Sequence, residues 1–434
     1  MTPAIVVSAP SSGSGKTVLT LGLLRAFRGA GLVAGSAKIG PDYIDPRFHE
    51  AATGRPSLNL DGWAMRRDRL LSLAAQAGQG ADILVVEGVM GLFDRAAEPG
   101  VEGPSAAADV AKTLGAPVVL AIDAGASAQS VGAVALGFRA FDPTVEIAGV
   151  VLNRVASARH EALARQGCEA AGIRVFGALP RLSALATPSR HLGLVQAEEV
   201  EGLEAFLDAA GEAVAAHVDL AALQAAARVP QAPVAAPSRP PARPLGRRIA
   251  VASDVAFRFA YPHVLDGWRA AGAAILPFSP LADEAPAEAA DAVFLPGGYP
   301  ELHAARIASA ARFRAAMREA AGRGVAIYGE CGGYMTLGET IVDADGVRHD
   351  GLGLLPLETS FASRRLHLGY RRVTLASRGP LGEAGAEVRA HEFHYAAIVR
   401  EGAADPLFRL SDGGVAGLVR GSVSGSFLHV VDCG

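Results

Sequence analysis

Apolar and polar positions along this chain switch repeatedly between two periods. Short β-branched runs, Ile5 to Val7, Ile83 to Val86, Val118 to Ile122, Ile147 to Leu152 and Val175 to Leu179, are separated by Ala- and Leu-rich stretches of helical period such as Val18 to Phe27. Apolar runs of strand length set between helical segments predict a parallel sheet covered by helices on both faces. The pattern lapses from about Ala221, where Pro230, Pro233, Pro237, Pro240, Pro241 and Pro244 crowd an Ala-rich stretch that reads as a linker over 221–247. A second series follows: Ile249 to Val251, Ile275 and Leu276, Val293 to Leu295, and Val325 to Ile327. The expected fold class is therefore α/β, with two doubly wound domains at 1–220 and 248–434. No internal repeat at a fixed period interrupts this reading.

Composition narrows the function classes. A chain of 434 residues exceeds one hydrophobic core, and half of it is apolar, enough for two. A formal net charge of -4 supplies no basic footprint for nucleic acid, so the substrate is expected to be small. The three cysteines, Cys168, Cys331 and Cys433, form neither an even disulfide framework nor a metal-ligand pair, which points to a reducing compartment and hence the cytoplasm. No apolar stretch approaches the roughly 20 residues that span a bilayer. The N-terminus runs directly into a strand rather than a charged leader. No membrane partner is expected, and a homodimer is left open.

Two motifs carry chemistry. Ser11-Ser12-Gly13-Ser14-Gly15-Lys16-Thr17 follows the first predicted strand and opens a helix, the context of a loop that wraps triphosphate. Ser12, Gly13, Ser14 and Gly15 would supply backbone N–H groups, Lys16 would reach the β and γ phosphates, and Thr17 would ligate magnesium. Pro10 stands where the usual first glycine would be. Lys38 to Pro46 reads as a Gly/Pro-punctuated loop carrying Asp42 and Asp45. Glu87 ends an apolar strand at the edge where open α/β sheets bind ligands, and is the expected magnesium ligand. Asp123 has the same placement and competes with it. Asp94 is either a substrate group or a helix cap, and Asn153 either reads an adenine edge or caps.

The second motif, Tyr328-Gly329-Glu330-Cys331-Gly332-Gly333-Tyr334, follows an apolar run and sets Cys331 between glycines two residues away on each side. That is the pattern of a strained strand-to-helix turn presenting a nucleophile. A thiol acting on an amide needs a base and oxyanion donors. His429, His391 and His394 are all candidates for the base. Gly297 and Gly298, in Leu295-Pro296-Gly297-Gly298-Tyr299-Pro300, suit the oxyanion hole.

On these residues, with Ser426-Phe427-Leu428-His429, the C-terminal half resembles a class I glutamine amidotransferase domain of the cobyric acid synthase type. The N-terminal half, through Gly13 to Thr17, Lys38 to Pro46 and Glu87 to Asp94, is similar to the dethiobiotin synthetase-like ATPase domain of the a,c-diamide synthases of corrin biosynthesis, acting on hydrogenobyrinic or cobyrinic acid. The resemblance implies ATP, L-glutamine and Mg²⁺, with a corrin polycarboxylic acid as substrate. It implies Cys331 as nucleophile and His429 as general base. It also implies that Lys38, Asp42, Tyr43, Asp45 and Asp94 line the substrate and metal region, with Arg47, Arg66, Arg67 and His191 available to substrate carboxylates. The glutamate usual two residues after the histidine is replaced by Val431, which leaves Glu330 and Glu392 as candidates to orient His429. A nucleotide-switch ATPase of the partitioning or metal-assembly type shares the first motif, but places a lysine where this chain has Ser11 and has no use for Cys331.

Overall fold

The β-branched runs of the first 180 residues fold into one parallel sheet. A computed structural model describes residues 1–181, 196–230 and 240–433. Its first unit, Met1–Pro237, contains β1 (Ala4–Ser8), β2 (Ala34–Ile39), β3 (Leu58–Leu60), β4 (Ile83–Glu87), β5 (Val118–Asp123), β6 (Ile147–Val155) and β7 (Val175–Pro180). Their order is β3-β2-β4-β1-β5-β6-β7, all parallel, so the crossover between β1 and β4 places the phosphate loop and Glu87 at one sheet edge. Burial on both faces explains why β1, β4 and β5 read as unbroken apolar runs.

Two elements here differ from the sequence expectation. Lys38 lies on β2, not in a loop, and Asp45 opens the helix Asp45–Thr53, which shortens the loop to 40–44. Residues 221–226, expected as linker, belong to the helix Leu220–Ala226, whose Leu223 is fully buried and whose Asp219 carboxylate caps the Ala222 N–H. Alanine favours helix, and the prolines that forbid it begin only at Pro230. The expected linker residues 231–239 lie outside the described residues, as does His191.

The second unit, Ser238–Gly434, begins with the parallel strands β8 (Arg248–Ala252), β9 (Ala274–Phe278), β10 (Ala292–Leu295) and β11 (Ala326–Glu330). It continues with β12 (Thr340–Val342), β13 (Arg348–Asp350), β14 (Leu357–Ser360), β15 (His367–Leu375), β16 (Glu387–His394), β17 (Ala397–Glu401), β18 (Asp405–Leu410), β19 (Val415–Arg420), β20 (Val423–Ser426) and β21 (Leu428–Asp432). One sheet runs β21-β16-β15-β18-β19-β20-β11-β10-β8-β9, and a smaller one β13-β12-β14-β17. Only Phe427 separates β20 from β21, although five strand pairings lie between them in the sheet order, so the antiparallel half must curl until its first and last strands meet. That curl brings β21 beside the end of β11, where Val430 N donates to Glu330 Oε1 over 3.0 Å.

Candidate active sites

In the N-terminal unit a glycine-rich turn leads into the helix Lys16–Gly29. Gly15 has φ 91°, and the Asn153 amide nitrogen sits 2.1 Å from where its Cβ would stand, so a side chain there is excluded twice over. Asn153 Nδ2 donates to Ser14 O over 2.9 Å, and its Oδ1 accepts from Arg154 N over 2.9 Å. Its amide is thus engaged by the loop rather than held out to an adenine edge. Lys16, buried, donates to Ser11 O over 3.3 Å, folding back over the loop that would hold phosphate. Burial and then the nearby Lys38 ammonium push Lys16 below the ordinary lysine range, against Glu87, Asp45 and Asp94.

Behind that loop, fully buried Glu87 takes three partners. Thr17 Oγ1 donates to its Oε1 over 2.6 Å, Lys38 Nζ donates to the same oxygen over 2.9 Å, and His49 Nε2 lies 2.6 Å from Oε2. Lys38 also reaches Asp45 Oδ2 at 2.6 Å. Burial alone would raise the Glu87 carboxyl, but Lys38, His49 and Thr17 outweigh it and hold the group well below the usual carboxylate range. Burial opposes the Lys38 ammonium too, yet Asp45 and Glu87 keep it well above the ordinary lysine value. Asp45 is pushed up to about 7 by its burial and then by the charge of Asp42. Asp42 Oδ1 accepts the Ile44 and Asp45 N–H groups, and Asn59 Nδ2 braces the loop through Gly40 O and Asp42 O. Asp94 is exposed and accepts from Gly91 N over 2.8 Å, while Tyr43 is buried.

The structure thus gathers Lys16, Thr17, Lys38, Asp42, Asp45, Glu87 and Asp94. Asp123 is instead held by Arg154 and the Gly125 N–H. Thr17 Oγ1 with the Asp45 and Glu87 carboxylates forms the all-oxygen donor set that suits Mg²⁺. His49 and Asn59 escaped the sequence reading. The His49 signal was its place four residues after Asp45, one helical turn along the same face.

In the C-terminal unit Cys331 joins β11 to the short helix Gly332–Leu337 with φ 45° and ψ -103°, a conformation that costs a non-glycine residue about 1–3 kcal/mol. The turn is held by close packing: a Cβ on Gly333 would lie 1.8 Å from Leu295 O, and one on Gly329 2.8 Å from Gly333 C. Cys331 N donates to Ser426 O over 2.8 Å, and the thiol lies 3.8 Å from Phe393 O. Against its burial, the backbone N–H groups of Gly332 and Gly298 pull the thiol down. A Cβ on Gly332 would lie 3.0 Å from Gly298 N, so Gly298 borders the elbow together with Gly297. A Cβ on Gly297 would stand 2.3 Å from His429 Cε1 and 3.3 Å from Cys331 Cβ. Gly297 gives the imidazole room to approach the cysteine.

Of the three histidines, His429 is the one flanking that spot. His391 is its cross-strand neighbour. His394 Nδ1 pairs with Ala396 O over 3.0 Å, and its ring stacks on Phe427 at 3.8 Å. His429 Nδ1 lies 3.6 Å from Glu330 Oε2, whereas Glu392 pairs with Arg371 at 2.6 Å and His394 at 3.1 Å. Glu330 is fixed from its other oxygen by Tyr328 Oη at 3.1 Å and Val430 N at 3.0 Å.

Comparison with known proteins bears on both units. Residues 248–432 match the CobB/CobQ-like glutamine amidotransferase domain, and residues 5–195 match the CobQ/CobB/MinD/ParA nucleotide binding domain. The hydrogenobyrinate a,c-diamide synthase of Brucella abortus is 54% identical over 98% of this chain and 98% of its own length. Those of Rhizobium meliloti, 52% identical with 99% of each chain covered, and Rhodobacter capsulatus, 53% with 98% of each, are similar at the same level. The chain belongs to the hydrogenobyrinate a,c-diamide synthase family. As a member of that family it is a glutamine amidotransferase-type ligase, with the nucleotide-binding unit first and the amidotransferase unit second. Among the described residues no helix is long and apolar enough to cross a membrane.

Proposed function

We propose that this chain converts the a and c side-chain carboxylates of hydrogenobyrinate to amides, using one ATP and one glutamine for each. The observation that supports this most is the combination, in one chain, of a buried thiol on a strained elbow with a phosphate loop backed by Thr17, Lys38 and Glu87. A free carboxylate resists ammonia because its oxygen is a poor leaving group. It must be activated in one place while nitrogen is released in another.

At the amidotransferase site Cys331 Sγ would attack the glutamine amide carbon, with His429 taking the thiol proton and passing it to the departing ammonia. The Gly298 and Gly332 N–H groups would stabilise the oxyanion. Water then cleaves the thioester to glutamate. Burial, followed by the charge of Glu301, pushes the resting thiol well above its ordinary value, so a base within reach is required. Glu330 is the carboxylate that orients His429, in place of the glutamate replaced by Val431. It stands 3.6 Å from Nδ1, where it would favour Nδ1–H and leave Nε2 to take the thiol proton.

At the ATP site Lys16 would hold the transferred phosphoryl group and the loop N–H groups the remaining phosphates. Thr17, Glu87 and Asp45 would hold Mg²⁺, which neutralises charge on the triphosphate when bound. Lys38, Asp42 and Asp94 lie beside them and would meet the carboxylate that accepts phosphate. Ammonia displaces inorganic phosphate from the resulting acyl phosphate, giving the amide. Three cysteines, none in a disulfide, suit the reducing cytoplasm, where glutamine and ATP are both present.

The test is turnover with glutamine, MgATP and hydrogenobyrinate. ADP, glutamate and amide should appear in equal amounts, ending at a diamide. Glutamate and ADP without amide would reject the reading, and preference for cobyrinate would move the substrate to the cobalt-containing acid.

A further inference from the structure

Two residues after Gly298, the chain makes a single 3₁₀ turn, Pro300–His303, carrying Glu301. That turn packs on the nucleophile elbow: Pro300 Cδ lies 2.7 Å from where a Cβ on Gly332 would stand. Glu301 Oε2 is out of contact with solvent and has no hydrogen-bond partner. Burial pushes this carboxyl up to about 7, with its own backbone N–H and the Arg364 charge pulling the other way. Among charged groups Glu301 acts most strongly on the thiol, ahead of Glu330. Glu301 Oε2 is thus left without a donor, and a buried carboxylate oxygen in that state carries an uncompensated desolvation cost. Neither the thiol chemistry nor the fold, as described above, makes use of it.

Glutamine can supply the missing donor. With its carboxamide at Cys331, its α-ammonium group stands four bonds away, roughly 5 Å along an extended chain. We propose that the Glu301 carboxylate receives the α-ammonium group of glutamine. This rests on the amidotransferase reading of the Cys331 site and names the group that selects its nitrogen donor. A second consequence follows from the placement. With the pocket empty, Glu301 and Glu330 both oppose a negative sulfur. When an ammonium group docks, the Glu301 charge is neutralised, and His429 can draw off the thiol proton more readily. The thiol is therefore least reactive when no glutamine is present.

The experiment compares glutamine with 4-carbamoylbutanoate, which keeps the amide and α-carboxylate positions but lacks the amino group. Hydrolysis by the wild-type chain should favour glutamine by about 10- to 100-fold in kcat/KM, the value of one charge-assisted contact. Glu301→Gln should bring the two donors within about threefold. Alkylation of Cys331 by iodoacetamide without glutamine gives an independent readout, with Cys331→Ala identifying the signal. Its pH midpoint should move lower in Glu301→Gln, and full labelling shows that the elbow is formed. An unchanged donor preference in Glu301→Gln overturns the inference. Wild-type chain that hydrolyses both donors equally well overturns it without any variant. Wild-type chain that hydrolyses neither overturns instead the reading of the Cys331 site on which the inference rests.

Discussion

Glu330→Gln tests how the amidotransferase site works without the usual glutamate. The substituted side chain keeps an acceptor for Tyr328 Oη and Val430 N, so the fold around β21 is conserved. What changes is the group facing His429 Nδ1 at 3.6 Å. A carboxylate there favours Nδ1–H and stabilises the imidazolium that forms when the thiol is deprotonated. An amide nitrogen presents a donor instead, which favours the tautomer whose Nε2 already carries hydrogen and cannot accept from sulfur. At 3.6 Å and an effective dielectric of about 20, the charge interaction is worth about 4–5 kcal/mol. If reorganisation recovers half, about 2 kcal/mol is lost from the transition state. The expected fall in kcat for glutamine hydrolysis is therefore roughly 30- to 50-fold, with KM little changed. Glutamate release at saturating glutamine measures it, with ammonia-dependent amide formation as the control for the ATP site. A Glu330→Gln chain retaining more than half the wild-type kcat would show that His429 is oriented by something else.

Cys331→Ala should abolish glutamine-dependent amidation and leave amidation from added ammonia, whereas Lys16→Ala should stop both, as read by amide formation; retained synthesis in Lys16→Ala would place the ATP site elsewhere. Gly333→Ala must displace backbone, because the new Cβ would lie 1.8 Å from Leu295 O. We expect a loss of about 3 kcal/mol or more in the second unit, visible in urea unfolding followed by Trp268 fluorescence with Trp63→Phe as background, and an unmoved midpoint would contradict the packing argument. His391 is depressed to about 3 by burial, then by His429 and Arg371. Its folded pKa lies below the unfolded value of about 6.5, so its contribution is present above pH 6.5 and is lost as pH falls from there toward 3, by about 5 kcal/mol at most. His391→Gln should flatten the fall in urea midpoint between pH 6.5 and 4.5, and an identical slope would exclude His391 as its source.

Strands buried on both faces were legible because burial demands apolar runs rich in β-branched residues: β1, β4, β5 and the middle of β6 carry them. β2, with the sequence AGSAKI, carries none, since its neighbours leave no room. A Cβ on Gly35 would lie 2.4 Å from Ala77 O, so small residues replace the usual signal. The antiparallel half from β12 onward was hidden for another reason. β15 mixes polar and apolar residues over a largely half-exposed surface, and such short strands resemble loops until paired. At the sites, motif residues were readable because chemistry fixes their spacing. His49 and the ranking of Glu330 over Glu392 were not, because each depends on which carboxylate or imidazole the fold brings near. Gly297 could be singled out from its neighbourhood, but not the room it leaves for the His429 ring.

The curl that lets β20 and β21 meet across Phe427 ties enzyme activity to colloidal behaviour. The free border of β21 is already occupied, with Val430 N–H bound to Glu330 and Val431 O bound to His263 Nε2 at 2.9 Å. Loss of residues 428–432 would take away His429 and leave β16 paired only with β15, exposing a ribbon of unbonded amides to other chains. Any clipped form would thus be inert and sticky at once, so a pool of inactive but well-behaved truncated enzyme should not accumulate.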